Sequence, residues 1–221
     1  MINKIDNSPS FGWRYKMHYD IVSTAGKHFK YKDYDVLSIL QDAVQRPDFD
    51  EVCLFSQKHF YYPNSKIKSF WDLTGDRNAK SVYEKHISCF KESFKNFPLC
   101  AFEEAGRAIH FLQDVAQPQH IDRSSIIKKM FDIDIHKNFE QFALDKSESL
   151  LKQARPAQLK SNTFEALFDD TVNLASKNQV PTKDNRELWD AIAFDGTNAA
   201  LGATRRFFEL LGKYIDNIQV Q

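Results

Sequence analysis

The stretch HFLQDVAQPQH, residues 110–120, places two histidines and an aspartate around the end of one predicted helix. His110 and Asp114 are four residues apart, so on a helix their side chains point the same way, about 6 Å apart at the β-carbons. Pro118 ends that helix, because it has no backbone N–H and clashes with the preceding turn. His120 therefore leaves in a different direction. Such a set can hold one cation or two neighbouring ones, although His110 and Asp114 could equally be a hydrogen-bonded pair in the core.

Helical periodicity extends over most of the chain, and strand alternation is rare. Besides the helix that Pro98 opens, the pattern predicts helices at about 17–29, 33–45, 80–96, 135–154, 163–178 and 186–216, the last with a bend near Gly196 or Gly202. Residues 46–79 contain prolines, a glycine and many polar side chains, which predict one long loop. We found no repeat and no linker rich in Gly, Ser or Pro. The expected fold is all-α, a single-domain multi-helix bundle over residues 1–221 with a metal-binding loop at about 46–79.

The bulk composition is electrically neutral, with 30 basic and 30 acidic side chains among 221 residues. It gives no electrostatic case for a stable complex with nucleic acid. Cys53, Cys89 and Cys100 lack CxxC spacing and predict buried free thiols rather than a disulfide framework. The polar N-terminal residues lack the apolar stretch of a secretory signal, and no run approaches the about 18 apolar residues of a membrane span. These features predict a cytoplasmic protein, unless a route independent of a signal peptide exports it.

A second pair of candidate ligands lies in HKNFE, residues 136–140. His136 and Glu140 repeat the spacing of four residues on the next predicted helix. Alone, such a pair is more often an ion pair on the surface. The neighbouring Phe139, Phe142 and Ala143 argue against full exposure of this face.

Three further candidates are more scattered. His18 lies on the apolar face of the first predicted helix, where a lone histidine is usually structural. Asp48 follows Pro47 and would ordinarily be a turn residue. His59 precedes aromatic residues and could simply belong to an aromatic loop.

Together the candidates comprise five of the seven histidines and three carboxylates; His28 and His86 fit no scheme and are predicted to lie on the surface. Mixed imidazole and carboxylate ligands suit Zn²⁺, although other divalent ions accept the same groups, and eight of them suffice for two or three ions. Several adjacent ions point to hydrolysis, in which one ion lowers the pKa of water and others bind phosphoryl oxygens.

The order of these residues resembles that of the bacterial zinc-dependent phospholipase C family, whose distant relatives are trinuclear zinc nucleases acting on single strands. The family pattern is a Trp, a helical His, an Asp with a following aromatic residue, a loop His, then HxxxD, a His six residues on, and HxxxE. In this sequence those positions are Trp13, His18, Asp48 with Phe49, His59, His110 with Asp114, His120, and His136 with Glu140. The resemblance covers residues 13–143, and its strongest block is AIHFLQDVAQPQH.

The resemblance implies three zinc sites. The first would use Asp48, His59, His110 and one oxygen of Asp114. The second would use His120, His136 and Glu140, with positions left open for water. The third would use His18, the other oxygen of Asp114 and the backbone of Trp13.

The third site departs from the family pattern. In the family the Trp is the mature N-terminus, and its free amine binds the ion, whereas residues 1–12 form an extension ahead of Trp13 here. An amide nitrogen is a very poor ligand, because its lone pair is delocalised. Unless Gly12–Trp13 is cleaved, we expect the third site to be weaker, completed by water or filled from elsewhere, so the expected content is two or three zinc ions.

The implied activity is zinc-dependent hydrolysis of a phosphodiester, with a hydroxide bridging the ions beside Asp114 as nucleophile and Asp48 doubling as general base. A phospholipid headgroup is the expected substrate partner, and candidates for its pocket are Phe49, Phe55, Tyr61 and Tyr62. One alternative is a single-strand nuclease on the same site. Others are an intracellular enzyme that uses the metal cage for different chemistry, and a non-catalytic protein with structural metals.

Overall fold

The chain was analysed as a computed structural model, which describes residues 15–50, 58–61, 78–121 and 133–219. Within these ranges the regular secondary structure is helical, apart from an antiparallel bridge between Tyr31 and Tyr34. The predicted all-α fold class is therefore confirmed. The α-helices are α1 (Tyr15–Gly26), α2 (Val36–Gln45), α3 (Pro47–Asp50), α4 (Ala79–Ser93), α5 (Pro98–Asp114), α6 (Pro118–Ile121), α7 (Ile133–Asp145), α8 (Ser147–Gln153), α9 (Phe164–Ala175) and α10 (Trp189–Gln219).

Local sequence signals set several helix ends. Asn78 and Ser81 form a reciprocal capping box at the start of α4, and the side chain of Thr163 accepts from the backbone of Ala166 to cap α9. Pro98 occupies the first turn of α5, where its missing N–H is no loss. As predicted, α5 ends before Pro118, which itself opens α6. The prediction of these boundaries succeeded because capping is a local interaction.

The core is built around α5, which packs against α2, α4 and α10. Most residues of α5 from Ala101 onward are buried, including every residue from Ala108 to Asp114. Aromatic side chains fill the core, and those without measurable exposure include Phe90, Phe102, Phe111, Phe168 and Phe207. A helix surrounded in this way can hold polar side chains at its end out of contact with water.

The predicted loop at 46–79 is wrong at its beginning, because Pro47–Asp50 forms the short helix α3. Proline is favoured in the first turn of a helix, and the first-turn carboxylates of Asp48 and Asp50 are favourable near its positive end. Residues 58 and 59 form a short 3-10 turn. Most of the rest of the predicted loop lies outside the described residues.

The C-terminal helices also differ in detail from the prediction. The helix expected at 135–154 is divided into α7 and α8 at Lys146. Helix α10 continues unbroken through Gly196 and Gly202. Gly202 lies against the backbone of Ala157 and Gly196 against the side chain of Gln117, so both glycines permit close packing.

Two predictions of exposure are wrong. His86 is buried, because its Nδ1 lies 2.7 Å from Oε2 of Glu104 and its ring stacks on Phe111. Cys100 is exposed and Cys89 only half-buried, whereas His28 is exposed as predicted. Among the described helices, none has the combination of length and apolar composition needed to cross a membrane.

Candidate metal centre

The end of α5 supplies the centre of the site. His110 and Asp114 are both fully buried. Nδ1 of His110 donates to the backbone carbonyl of Val44 at 2.8 Å, because a carbonyl oxygen can only accept. This bond turns Nε2 of His110 inward, where it lies 3.3 Å from Oδ2 of Asp114. The spacing of four residues thus places both groups on one face, as predicted from the sequence.

The carboxylate of Asp114 lies between two sets of imidazoles. Its Oδ2 is 2.7 Å from Nδ1 of His59, and its Oδ1 is 3.4 Å from Nε2 of His18. The rings of His18 and His110 approach to 4.2 Å between centroids. Since each oxygen faces a different set, Asp114 has the geometry of a carboxylate that bridges two cations.

Asp48 joins the same centre from α3. Its Oδ1 is 3.7 Å from Nε2 of His110, and the residue is 9% exposed. Asp48, His59 and His110 each place one ligand atom within 4.8 Å of the others, and His18, His110 and Asp114 do the same. His110 therefore belongs to both groups, whereas the resemblance had assigned it to the first site alone.

A second group lies on the other side of residue 59. His120, His136 and Glu140 also place ligand atoms within 4.8 Å of one another. Oε1 of Glu140 is 2.6 Å from Nε2 of His136 and 3.6 Å from Nε2 of His120. Nδ1 of His120 donates to the carbonyl oxygen of His59 at 2.9 Å, and the ring of Phe60 stacks on that of His120. The pair in HKNFE is thus oriented inward rather than exposed as a surface ion pair.

The donor set fits a group of cations. Several ligand atoms of these groups are buried without a hydrogen bond: Nε2 of His18 and of His120, both oxygens of Asp48, and Oδ1 of Asp114. Burying carboxylates without compensation is strongly unfavourable, because water solvates the charge better than protein does. Divalent cations bound by these atoms would supply that compensation, and imidazole with carboxylate is a donor set that zinc accepts.

The pKa values respond to this burial. Burial raises the pKa of Asp48 to about 6 and that of Glu140 to about 8. Burial, with the nearby His110, lowers the pKa of His18 to about 3. For Asp114 burial acts upward, but the charges of His110 and His120 hold its pKa well below the ordinary value. Burial likewise acts against the charged form of His110, yet Asp114 and Asp48 raise its pKa to about 9. Protons and cations therefore compete for the same atoms.

The predicted substrate-pocket residues have different positions. Phe49 is 55% exposed beside Asp48, and its ring lies 5.8 Å from that of Tyr15, which is 42% exposed. Tyr61 instead packs against the core and makes an edge-to-face contact with Phe168. Phe55, Tyr62 and the predicted ligand Trp13 lie outside the described residues.

Two polar residues near the site were missed by the sequence reasoning. Gln113 contacts His18, and Thr204 contacts Gln113 from α10. A glutamine beside Asp114 within an otherwise apolar stretch is a usable signal for Gln113. Thr204 carries no comparable signal, because its partner is 91 residues away.

The comparisons with known proteins agree with this geometry at the level of the fold. The structure is similar to the crystal structure of alpha-toxin from an avian strain of Clostridium perfringens, with a TM-score of 0.63 and 18% identity over 95% of this chain. It matches alpha toxin from Clostridium absonum with a TM-score of 0.64 and 20% identity over 94% of this chain. The chain has the alpha-toxin fold.

The shared alpha-toxin fold covers 65% of each of those two chains, so this chain spans slightly less than two thirds of their length. No family model and no curated protein matches the sequence. The similarity to the alpha-toxins is therefore a similarity of backbone architecture at low sequence identity.

Proposed function

We propose that the chain is a zinc-dependent phosphodiester hydrolase of the phospholipase C kind. Two lines of support agree with each other. The sequence resembles that family in the order of its ligand residues, and the fold is that of the alpha-toxins, which are zinc phospholipases C. The described residues that match the family pattern also lie together in space.

The observation that carries the proposal is the position of Asp114. Its two oxygens face different imidazoles, Oδ1 toward His18 and Oδ2 toward His59. A carboxylate placed in this way can hold two cations side by side, which is the arrangement that hydrolysis of phosphodiesters uses.

Bound zinc ions would supply an acidified water and positive charge for the phosphoryl oxygens. In the proposal, Asp48, His59, His110 and Asp114 hold one ion, and His120, His136 and Glu140 hold a second. His18 and the remaining oxygen of Asp114 contribute to a third, with Trp13 as the proposed further ligand. The Nδ1 bonds of His110 and His120 to backbone carbonyls keep both rings oriented.

Asp48 is the proposed general base. Its two oxygens have no hydrogen-bond partner, and burial raises its pKa to about 6. Without metal, such a carboxyl is mostly deprotonated at neutral pH, and a carboxylate of this kind can take a proton from an attacking water. Asp48 would thus combine binding with proton transfer.

A phospholipid headgroup is the proposed substrate partner. The exposed ring of Phe49 follows Asp48 in the sequence and lies beside the exposed ring of Tyr15, and the faces of this pair could contact a cationic headgroup. The same pair could stack on a nucleobase, so a nuclease on this site is the second candidate. The zero net charge of the chain favours the lipid substrate, because nucleic-acid enzymes usually carry a basic stripe.

Zinc content and activity test the proposal together. Protein purified with zinc should contain at least two ions per chain by elemental analysis, and anomalous scattering at the zinc edge should place them at the ligand groups named above. The same preparation should hydrolyse phosphatidylcholine faster than single-stranded DNA; the reverse order would favour the nuclease. Fewer than two ions, or no hydrolysis of either substrate or of a generic phosphodiester, would refute the proposal.

A further inference from the structure

A chain of hydrogen bonds connects His18 to the C-terminal helix α10. Nδ1 of His18 lies 2.7 Å from Oε1 of Gln113, and Nε2 of Gln113 lies 3.0 Å from Oγ1 of Thr204. Oγ1 of Thr204 in turn donates to the backbone carbonyl of Ala200 at 2.8 Å. His18, Gln113 and Thr204 have no measurable exposure, so water does not compete for these bonds.

The direction of each hydrogen bond in this network follows from the last acceptor, the backbone carbonyl of Ala200. The carbonyl of Ala200 can only accept, so the hydroxyl proton of Thr204 is committed to it. The oxygen of Thr204 must then accept from Gln113, which places the NH₂ of that amide toward α10 and its carbonyl toward His18. The remaining partner, Nδ1 of His18, must be the donor.

This direction fixes the tautomer of neutral His18. With the proton on Nδ1, Nε2 presents a lone pair to Oδ1 of Asp114 at 3.4 Å, and neither atom has a hydrogen bond. Two acceptors that face each other in a buried site repel, unless a cation lies between them. The arrangement is therefore preset for a cation on this side of Asp114.

We propose that Gln113 and Thr204 are positioning residues that set the ring and the tautomer of His18 for metal binding, so that α10 is a functional part of the centre. The proposal rests on the proposed metal centre in one respect, because it takes Nε2 of His18 to be a ligand atom. It extends the centre to the last third of the chain, where the family pattern has no motif. It also gives this side of Asp114 a support that does not depend on Trp13.

The first test measures the tautomer in zinc-free protein, so its result does not depend on catalysis. Two-bond ¹H–¹⁵N correlation spectra distinguish the two ring nitrogens, and the His18→Gln variant identifies the signals of residue 18. Wild type should carry the proton on Nδ1. Thr204→Val removes the hydroxyl at nearly constant volume and should give a mixture of tautomers, whereas Thr204→Ser should restore the wild-type pattern.

Thr197→Val is the matched control. Thr197 is also fully buried on α10 and also donates to the carbonyl four residues before it, Ala193. It makes no hydrogen bond to Gln113 among those described. This variant should lose about as much packing as Thr204→Val and should leave the tautomer of His18 unchanged.

The second test measures zinc affinity. Loss of an outer partner of a metal-bound histidine typically weakens binding about 10- to 100-fold. Thr204→Val and Gln113→Leu should weaken one zinc equivalent to this extent in competition with a chelator, and Thr197→Val should not. A wild-type proton on Nε2, or a Thr204→Val variant indistinguishable from Thr197→Val in tautomer and affinity, would overturn the proposal. If the tautomer and affinity results are as expected but the wild type has no hydrolytic activity, that outcome counts against the proposed function and not against this proposal.

Discussion

The backbone carbonyl of His59 accepts a hydrogen bond from the ring of His120 at 2.9 Å. The ring of His59 lies on the opposite side, 2.7 Å from Asp114. One residue thus contributes to both ligand groups, by its side chain in one and by its backbone in the other. A shift of His59 would change the geometry of both groups. We therefore expect metal binding in one group to affect metal binding in the other.

Phe60→Ala should weaken zinc binding in the group of His120, His136 and Glu140. The ring of Phe60 stacks on His120 with centroids 4.9 Å apart, and its removal frees the imidazole to rotate. We expect a loss of about 10-fold in affinity, at the lower end of the range for outer partners of a metal ligand. Competition with a chromophoric chelator measures it. Phe97→Ala, at a ring that is 65% exposed, is the control and should bind as wild type does.

Asp114→Asn should abolish most of the hydrolytic activity. A carboxamide has one oxygen where the carboxylate has two, so it cannot face His18 and His59 with equivalent acceptors. The loss in kcat/KM should exceed the about 10- to 100-fold typical of an outer partner. Asp216→Asn, at an exposed position on α10, serves as the control. A small loss in Asp114→Asn would mean that Asp114 is a structural residue.

Glu140→Gln should stabilise the zinc-free protein at alkaline pH. Burial raises the pKa of Glu140 in the folded state to about 8 from its ordinary value of 4.5, so the folded state binds more protons between these values. The free energy of unfolding of the wild type therefore falls as pH rises through this window. Glutamine mimics the protonated form and has no such loss.

Urea unfolding in the presence of a chelator, at about pH 5 and about pH 8, measures this difference. The advantage of Glu140→Gln over wild type should grow with pH, and its zinc affinity should be lower than that of wild type. Glu148→Gln, at an exposed position, should show neither change. An advantage that is constant with pH would contradict the assigned direction of the pKa shift.

Two glycines on α10 should respond to alanine in opposite ways. A β-carbon at Gly202 would collide with the backbone of Ala157, which cannot move aside as a side chain can, so Gly202→Ala should cost about 1–3 kcal/mol. A β-carbon at Gly212 meets nothing within 4 Å, so Gly212→Ala should stabilise by about 0.4–1 kcal/mol. Urea denaturation of the two variants beside wild type checks both signs.

The pairs with a spacing of four residues illustrate what the sequence could predict about the site. His110 with Asp114, and His136 with Glu140, share helix faces because the helical repeat dictates it. His86 shows the opposite case. His86 contacts Glu104 and Phe111, which both belong to α5. The residues next to His86 in the sequence do not predict either contact.

By itself the sequence determined the all-α class, most of the helix ends and the identity of the candidate ligands. Periodicity, capping and proline stereochemistry act over a few residues, so they can be read locally. Only the tertiary structure decided that His18, His59 and His110 meet at Asp114, that α3 carries Asp48 and that Thr204 anchors Gln113. Those contacts join residues as far apart in the sequence as His18 and Asp114, and packing of whole helices against α5 determines them.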